Sequence, residues 1–253
     1  MVDILHRDTG ALLLRWDRGS SGALTGANLR YADLKGARLA GVDLTGADLG
    51  AANLTGAVLA GARLGGADLS GADLTDAVVT GASLVGAKIL GANLTGADFS
   101  EADLTRATMR LCYCHARPPR FRDTRMANAH LGQVTLPGGD WTGADLTEAS
   151  LAHAHLAGAS FVGASLRSAV LPSADLTGTD LRDADLSFAF LRETDLSGCR
   201  LRGAILGKTT IVACPTLAAA TDLDLVALIG PIYCDAPTAA ALPEADRASL
   251  GLV

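Results

Sequence analysis

The sequence predicts an all-β solenoid, and two observations carry that expectation. From Leu24 onward the chain repeats every five residues almost without interruption: GANLR, YADLK, GARLA, GVDLT, GADLG, AANLT. Apolar residues make up 49% of the 253 but aromatics only 4%, so the interior must be filled by leucine and alanine rather than by rings. A short fixed period over most of a chain reads as a stack of similar coils, each of which buries its apolar face against its neighbours.

In each unit a large apolar residue, usually Leu, is the centre. Ala lies two positions before it, Asp or Asn often one before, and Gly often two after. An α-helix does not suit this period. Steps of five at 100° per residue spread Leu around the whole circumference, and each Gly would cost roughly 1 kcal/mol relative to Ala. Plain strand alternation fails as well, because an odd period turns successive centres to opposite faces. A short extended side followed by a corner does fit. The centre and the residue two before it then point inward, the other three positions face solvent, and Gly accommodates the turn.

The elements follow in order. Residues 1–22 form an N-terminal cap, with VDILH and ALLLRW flanking a turn at Arg7-Asp8-Thr9-Gly10 as a β-hairpin. Such a cap is needed because an open coil is a template for edge-to-edge association. Residues 23–212 form the coil. A first run of centres extends from Leu24 to Met109, with Cys114 a further one, and a second from Phe121 to Ile211. The phase shifts between them, which a two-residue insertion near 115–120 explains with the least disturbance, and Pro118-Pro119 there cannot donate backbone hydrogen bonds. If the insertion lies within one coil, Phe99, Phe121, Trp141 and Phe161 stack on one inner face. Residues 213–253 form a helical C-terminal cap. Its first helix has Thr221 as N-cap with Asp222 and Asp224 in the first turn, and Gly230-Pro231 stops it. A second opens at Pro243, Glu244 and Asp246 and ends near Gly251.

The A(D/N)LxG runs resemble the pentapeptide-repeat proteins over roughly Leu24 to Ile211. The resemblance implies a right-handed, four-sided parallel β-helix with four pentapeptides per coil. The centres then make about nine to ten coils, a rod roughly 45 Å long at the spacing of parallel strands. It also implies dimerisation through the C-terminal tail in some members, and in the best-known ones mimicry of DNA toward a type II topoisomerase.

Composition and spacing narrow the function. The net charge of -6 excludes nucleic-acid binding through overall basic charge. No apolar run reaches the ~18 residues of a membrane span, and MVDILHRD lacks the shape of a signal peptide. Five irregularly spaced cysteines argue against a disulfide framework and for the cytoplasm. Cys112-Tyr113-Cys114-His115 invites a metal reading, but both cysteines fall at inward positions and read as small apolar fillers. His130, His153 and His155 face outward. No nucleophile, base and orienter can be assembled, so no catalytic, cofactor-binding or metal residue is assigned. Outward Val58 and Val78, one coil apart, make only a small patch. The candidate interaction residues are Arg106, Arg110, Arg117, Arg120, Arg122 and Arg125, opposed between 106 and 125 by Asp123 alone. Phasing directs all six outward as a belt around the rod.

The function expected is a non-catalytic scaffold whose partner is another protein, without direct nucleic-acid or membrane contact, and with a homodimer through the C-terminal cap as a secondary expectation. The alternative is a DNA mimic that binds gyrase. Duplex DNA carries one charge per ~1.7 Å of axis. A net -6 along the whole rod is far sparser, and a mid-length arginine belt would repel a DNA-binding saddle.

Overall fold

The computed structural model describes residues 2–16, 24–227 and 232–252. Strands β1 (Val2–His6) and β2 (Leu12–Trp16) form an antiparallel hairpin. β1 also pairs antiparallel with β3 (Ala32–Asp33), setting Leu5 against Asp33 and His6 against Ala32. The Arg7 amide continues this edge by donating to the Tyr31 carbonyl at 2.8 Å, so the hairpin lies against the start of the coil.

From Asn28 the backbone pairs with itself one coil further on. Parallel bridges join Asn28 to Asp48, Asp33 to Asn53, Arg38 to Val58 and Asp43 to Arg63, each 20 residues apart. Four ladders of such bridges run side by side; they are called the first to the fourth, after Asn28, Asp33, Arg38 and Asp43. Most corners between sides close with the amide of the next unit's inward small residue donating to the previous centre, as Ala27 to Leu24 at 3.1 Å. The residue two after each centre other than Cys114 has positive φ, +64° at Gly26, and the one between does not, which defines a type II turn.

The frequent Asp or Asn before the centre follows from the same corner. Its side-chain oxygen accepts the amide of the residue two later: Asp43 from Thr45 at 3.0 Å, Asp48 from Gly50 at 2.9 Å, Asp195 from Ser197 at 2.9 Å. These Asx turns satisfy a donor that the coil leaves unpaired.

The core is one continuous cluster from Leu24 to Leu250, built from centres and the small residues two before them. Across the break the ladders step by 22 instead of 20: Asp98 to Arg120, Asp103 to Arg125, Thr108 to His130, Tyr113 to Thr135. Regular 20-residue steps then resume from Arg120 to Asp140. Two extra residues are thus absorbed at the corner before Phe121, and the inner face keeps its identity. Phe99 stacks on Phe121 with ring centroids 5.3 Å apart, Phe121 on Trp141 at 4.1 Å, and Trp141 on Phe161 at 5.7 Å. Such pairs are worth about 0.5–1.5 kcal/mol each beyond burial. Trp141 needs extra room. The small position before it is Gly139, where an added Cβ would lie 2.8 Å from the indole Nε1. That indole N–H has no hydrogen-bond partner.

The inward small position is not purely apolar. Buried Thr194 and Thr209 donate their hydroxyls to the carbonyls of the centres Leu171 and Leu186, at 2.8 and 2.7 Å. Cys199 and Cys214 direct their thiols in the same way at Leu176 and Leu191. Small polar groups therefore enter the core at this one place, because a turn carbonyl of the coil before supplies an acceptor.

The C-terminal segment departs from the sequence expectation. No α-helix starts at Thr221. Its amide donates to Cys199 at 2.7 Å and it bridges Arg200, while Asp222 adopts a left-handed conformation, and Leu223–Leu225 is a 3-10 turn. The Gly230-Pro231 stop lies outside the described residues. After Ala213 the coil goes on with irregular steps: Arg200 to Thr221, Ile205 to Ala227, and β4 (Phe190–Arg192), β5 (Thr210–Val212) and β6 (Tyr233–Cys234) in parallel. Ladder hydrogen bonding outlasts the sequence period because it needs backbone, not leucine. Only then do α-helices appear, α1 (Ala236–Ala241) and α2 (Glu244–Ser249), after a 3-10 helix at Pro215–Ala219. Buried Thr238 of α1 accepts the Cys214 amide at 2.9 Å, and Leu242 and Leu250 close the end of the core.

Candidate interaction surface

All six belt arginines are exposed, but the structure does not leave them as a bare positive band. Arg125 lies 3.9 Å from Asp103 and Arg120 3.7 Å from Asp98, each its ladder partner in the preceding coil. Arg122 pairs with Asp140, and Arg117 grips Asp76 with both guanidinium nitrogens, at 2.5 and 2.7 Å. The last pair is made by the insertion itself, which folds Arg117 back across two coils. Gly96 lies beneath it; a Cβ there would meet the Asp76 carboxylate at 2.5 Å.

Electrostatics within the belt are those of local pairing. Burial works against the charge of Asp140, yet the Thr142 hydroxyl and the Arg122 guanidinium outweigh it and hold the carboxyl below its ordinary range. The hydrogen bond to Asp140 in turn raises Arg122. An open groove of about 530 Å³ lies between Arg117, Pro118, Arg120 and Asp140. Each of its charged groups already has its ion-pair partner. Arg106 and Arg110 differ: among the described residues no carboxylate pairs with either, and Arg110 donates only to the Gln133 side chain at 3.2 Å. With the two-residue shift at the break, the sequence already sets Asp98 one coil before Arg120 and Asp103 one coil before Arg125; the pairing of Arg117 with Asp76 does not follow from it.

Cys112 and Cys114 are buried in the core. Burial pushes the Cys112 thiol up to about 12 and raises Cys114 as well, the opposite of what a metal-binding thiolate needs. His115 lies outside, edge-on to Tyr113. Among the described residues no group of three or more His, Cys, Asp or Glu is placed to hold a metal, and no helix is long and apolar enough to cross a membrane.

A family model for pentapeptide repeats matches in overlapping segments that run from 23 to 110 and from 124 to 213, with the insertion in the gap between them. The chain belongs to the pentapeptide-repeat family. Among solved family structures it is similar to HetL, a protein involved in heterocyst differentiation regulation from the cyanobacterium Nostoc sp. strain PCC 7120. The identity is 31%, over 79% of this chain and 92% of HetL, with a TM-score of 0.34. It is also similar to QnrB1, a plasmid-mediated fluoroquinolone resistance protein, at 20% identity over 79% and 92%, TM-score 0.33. A third, Rfr23 from the cyanobacterium Cyanothece 51142, is 23% identical over 47% of this chain and 90% of its own, TM-score 0.23. No curated protein sequence matches.

Proposed function

We propose that this pentapeptide-repeat protein is a non-catalytic scaffold that binds another protein through the outer faces of a right-handed, four-sided coil. One observation carries the reading. The interior is filled from Leu24 to Leu250 by interlocked centres and small residues, so recognition falls to the outward rungs and corners. The five cysteines are free thiols, which supports a reducing compartment, the cytoplasm. In this reading a second copy meeting the C-terminal segment is a secondary partner.

DNA mimicry toward gyrase ranks below the scaffold. Its surface would need unbroken acid, whereas the third ladder reads Arg38, Val58, Val78, Asp98, Arg120, Asp140, and the acids at the belt are neutralised by the pairs above. Two assays on the full chain separate the readings. Affinity capture from the native host should retain its partner after nuclease treatment, and supercoiling by purified gyrase should proceed unchanged. Gyrase inhibition at nanomolar to low micromolar protein would promote mimicry. Loss of the captured partner on nuclease digestion would overturn the scaffold.

A further inference from the structure

Exposed apolar side chains are not spread evenly over the four sides. Written out along the bridges, the first ladder passes from Lys88 through Thr108, His130, Ser150, Val170, Phe190 and Thr210 to Tyr233. Val170, Phe190 and Tyr233 are exposed on it, and Phe188 stands at the corner beside Phe190. A second group lies nearer the middle: Val85, Leu90 and Leu111 occupy the two corners that border the same ladder. Tyr31 stands on a bordering corner at the amino-terminal end. Among the described residues, eight of the ten exposed large apolar residues in the coils thus belong to this side and its bordering corners; Tyr113 and Leu225 do not. Phe188, about half exposed at 49%, Phe190 and Tyr233 are three of only ten aromatic residues in the chain.

The charge of this side is also distinct. Lys88, Arg106 and Arg110 surround the middle group; Arg167, paired with Asp185, Arg192, paired with Glu193, and Lys208 surround the aromatic one; and Arg30, 3.9 Å from Asp48, lies at the far end. With its corners the side holds these seven cations against five acids, Asp48, Asp68, Glu148, Glu193 and Asp235, whereas the rest of the chain holds fourteen cations against twenty-two acids. Lys208 and Arg167 lie 5.2 and 5.7 Å from the centre of the Phe188 ring, within cation–π range.

We propose that the first-ladder side is the docking face of this chain, and that its occupant is an acidic protein segment carrying apolar side chains, which seat against Phe188, Phe190 and Tyr233. The proposal rests on the scaffold reading and specifies it. Of the six belt arginines, it assigns contact to Arg106 and Arg110, the two without carboxylate partners. Charge complementarity selects the occupant. A second copy meeting this face symmetrically would bring cations against cations. Duplex nucleic acid presents far more charge per length than seven cations partly offset by five acids can match. Aromatic anchors within a polar rim are the usual make-up of an interface centre.

The test places a photo-crosslinking amino acid at Leu90 or Phe190 on this face, and at Ser160 or Asp180 on the opposite third ladder, in the full chain expressed in its native host. Cross-linked peptides are sequenced, and the partner so identified is purified for binding measurements. The expected result is protein adducts from Leu90 and Phe190 only, mapping to a segment of net negative charge with apolar residues. Phe188→Ser with Phe190→Ser should then weaken that partner at least tenfold, with an unchanged melting temperature as the folding control. Arg106→Glu with Arg110→Glu should weaken it several-fold, more at low salt than at high, while Arg120→Ala with Arg122→Ala leaves it unaltered. Protein adducts from Ser160 or Asp180 alone would overturn the face and keep the scaffold. Adducts to nucleic acid or to a second copy, or to a segment of net positive charge, would overturn the occupant. Absence of adducts at all four positions would overturn face and scaffold together.

Discussion

The two runs of coil on either side of the insertion share one geometry and differ in how they write it. In the run up to Leu111, twelve of eighteen positive-φ corners are glycine; from Asp123 to Ala213 only seven of nineteen are. The remainder include Glu148, Ser168 and Phe188, yet their φ values, 59°, 55° and 63°, match those of the glycines. The corner is therefore imposed by what it joins, two inward side chains and two ladder hydrogen bonds, and glycine only lowers its strain. The repeat can decay at its most recognisable letter without loss of fold, provided the inward pair is kept.

That contrast ranks the perturbations. The largest effect should come from inside the second run: Leu146 is wholly buried, and Leu146→Arg places a charge where it cannot be solvated. We expect loss of more than about 4 kcal/mol and unfolding of adjacent coils, seen as loss of the thermal transition and rapid proteolysis around residue 146. A cooperative melt within a few degrees of the parent would contradict an inward-driven fold.

Gly139→Ala comes next. Its Cβ would collide with Trp141, a strain of roughly 1–3 kcal/mol. The clash should vanish in the background Trp141→Leu, so a double-mutant cycle measured by denaturant unfolding must show strong coupling. Additive changes would mean that the glycine serves the backbone alone.

Corner substitutions should be weaker and opposite in sign between the runs. Gly61→Ala meets no atom within 4 Å and carries only the left-handed strain, roughly 1–2 kcal/mol. Ser168→Gly relieves that strain at the price of a looser unfolded chain, a net gain of a few tenths to about 1 kcal/mol. Equal losses from both would show that the second run has evolved a different corner.

The smallest expected effect is titration of a turn cap. The Ser197 hydroxyl and amide hold the Asp195 carboxyl below its ordinary range, despite some opposing desolvation. A folded pKa below the unfolded value near 3.9 gives stability that is present above that value and lost as pH falls through the lower folded one. At this partly exposed site the share is a few tenths of a kcal/mol. Asp195→Asn keeps the acceptor and should flatten that part of the stability–pH curve between pH 5 and 2. An unchanged curve would remove Asp195 from the acid response.

Fold and interior were legible in the sequence because period five leaves few alternatives, and because Phe99, Phe121, Trp141 and Phe161 align only under a two-residue insertion. The continuation through Thr221 and Tyr233 was not, since backbone pairing there tolerates steps of 21 and 23 residues and leaves no regular side-chain signature. The buried hydroxyls of Thr194 and Thr209 were equally hidden; their acceptor is a turn carbonyl, which no residue type announces. The outward course of the arginines could be read directly, as could Asp98 and Asp103 one coil before Arg120 and Arg125, but not the fold-back of Arg117 onto Asp76. The apolar side emerges only when Val170, Phe190 and Tyr233, far apart in sequence, are set in one column.

A stack of near-identical rungs faces a frameshift problem while it assembles: skipping one coil would preserve every backbone bond and nearly every Leu-on-Leu contact. The four-ring tier breaks that degeneracy. If 121–161 docked one coil early, Phe121 would meet the aliphatic centre Val79 in place of Phe99, and the ring stack would lose its first contact. The rings thus act as an index mark near the middle of the rod, a non-repeating word in a repetitive text by which the chain finds its place.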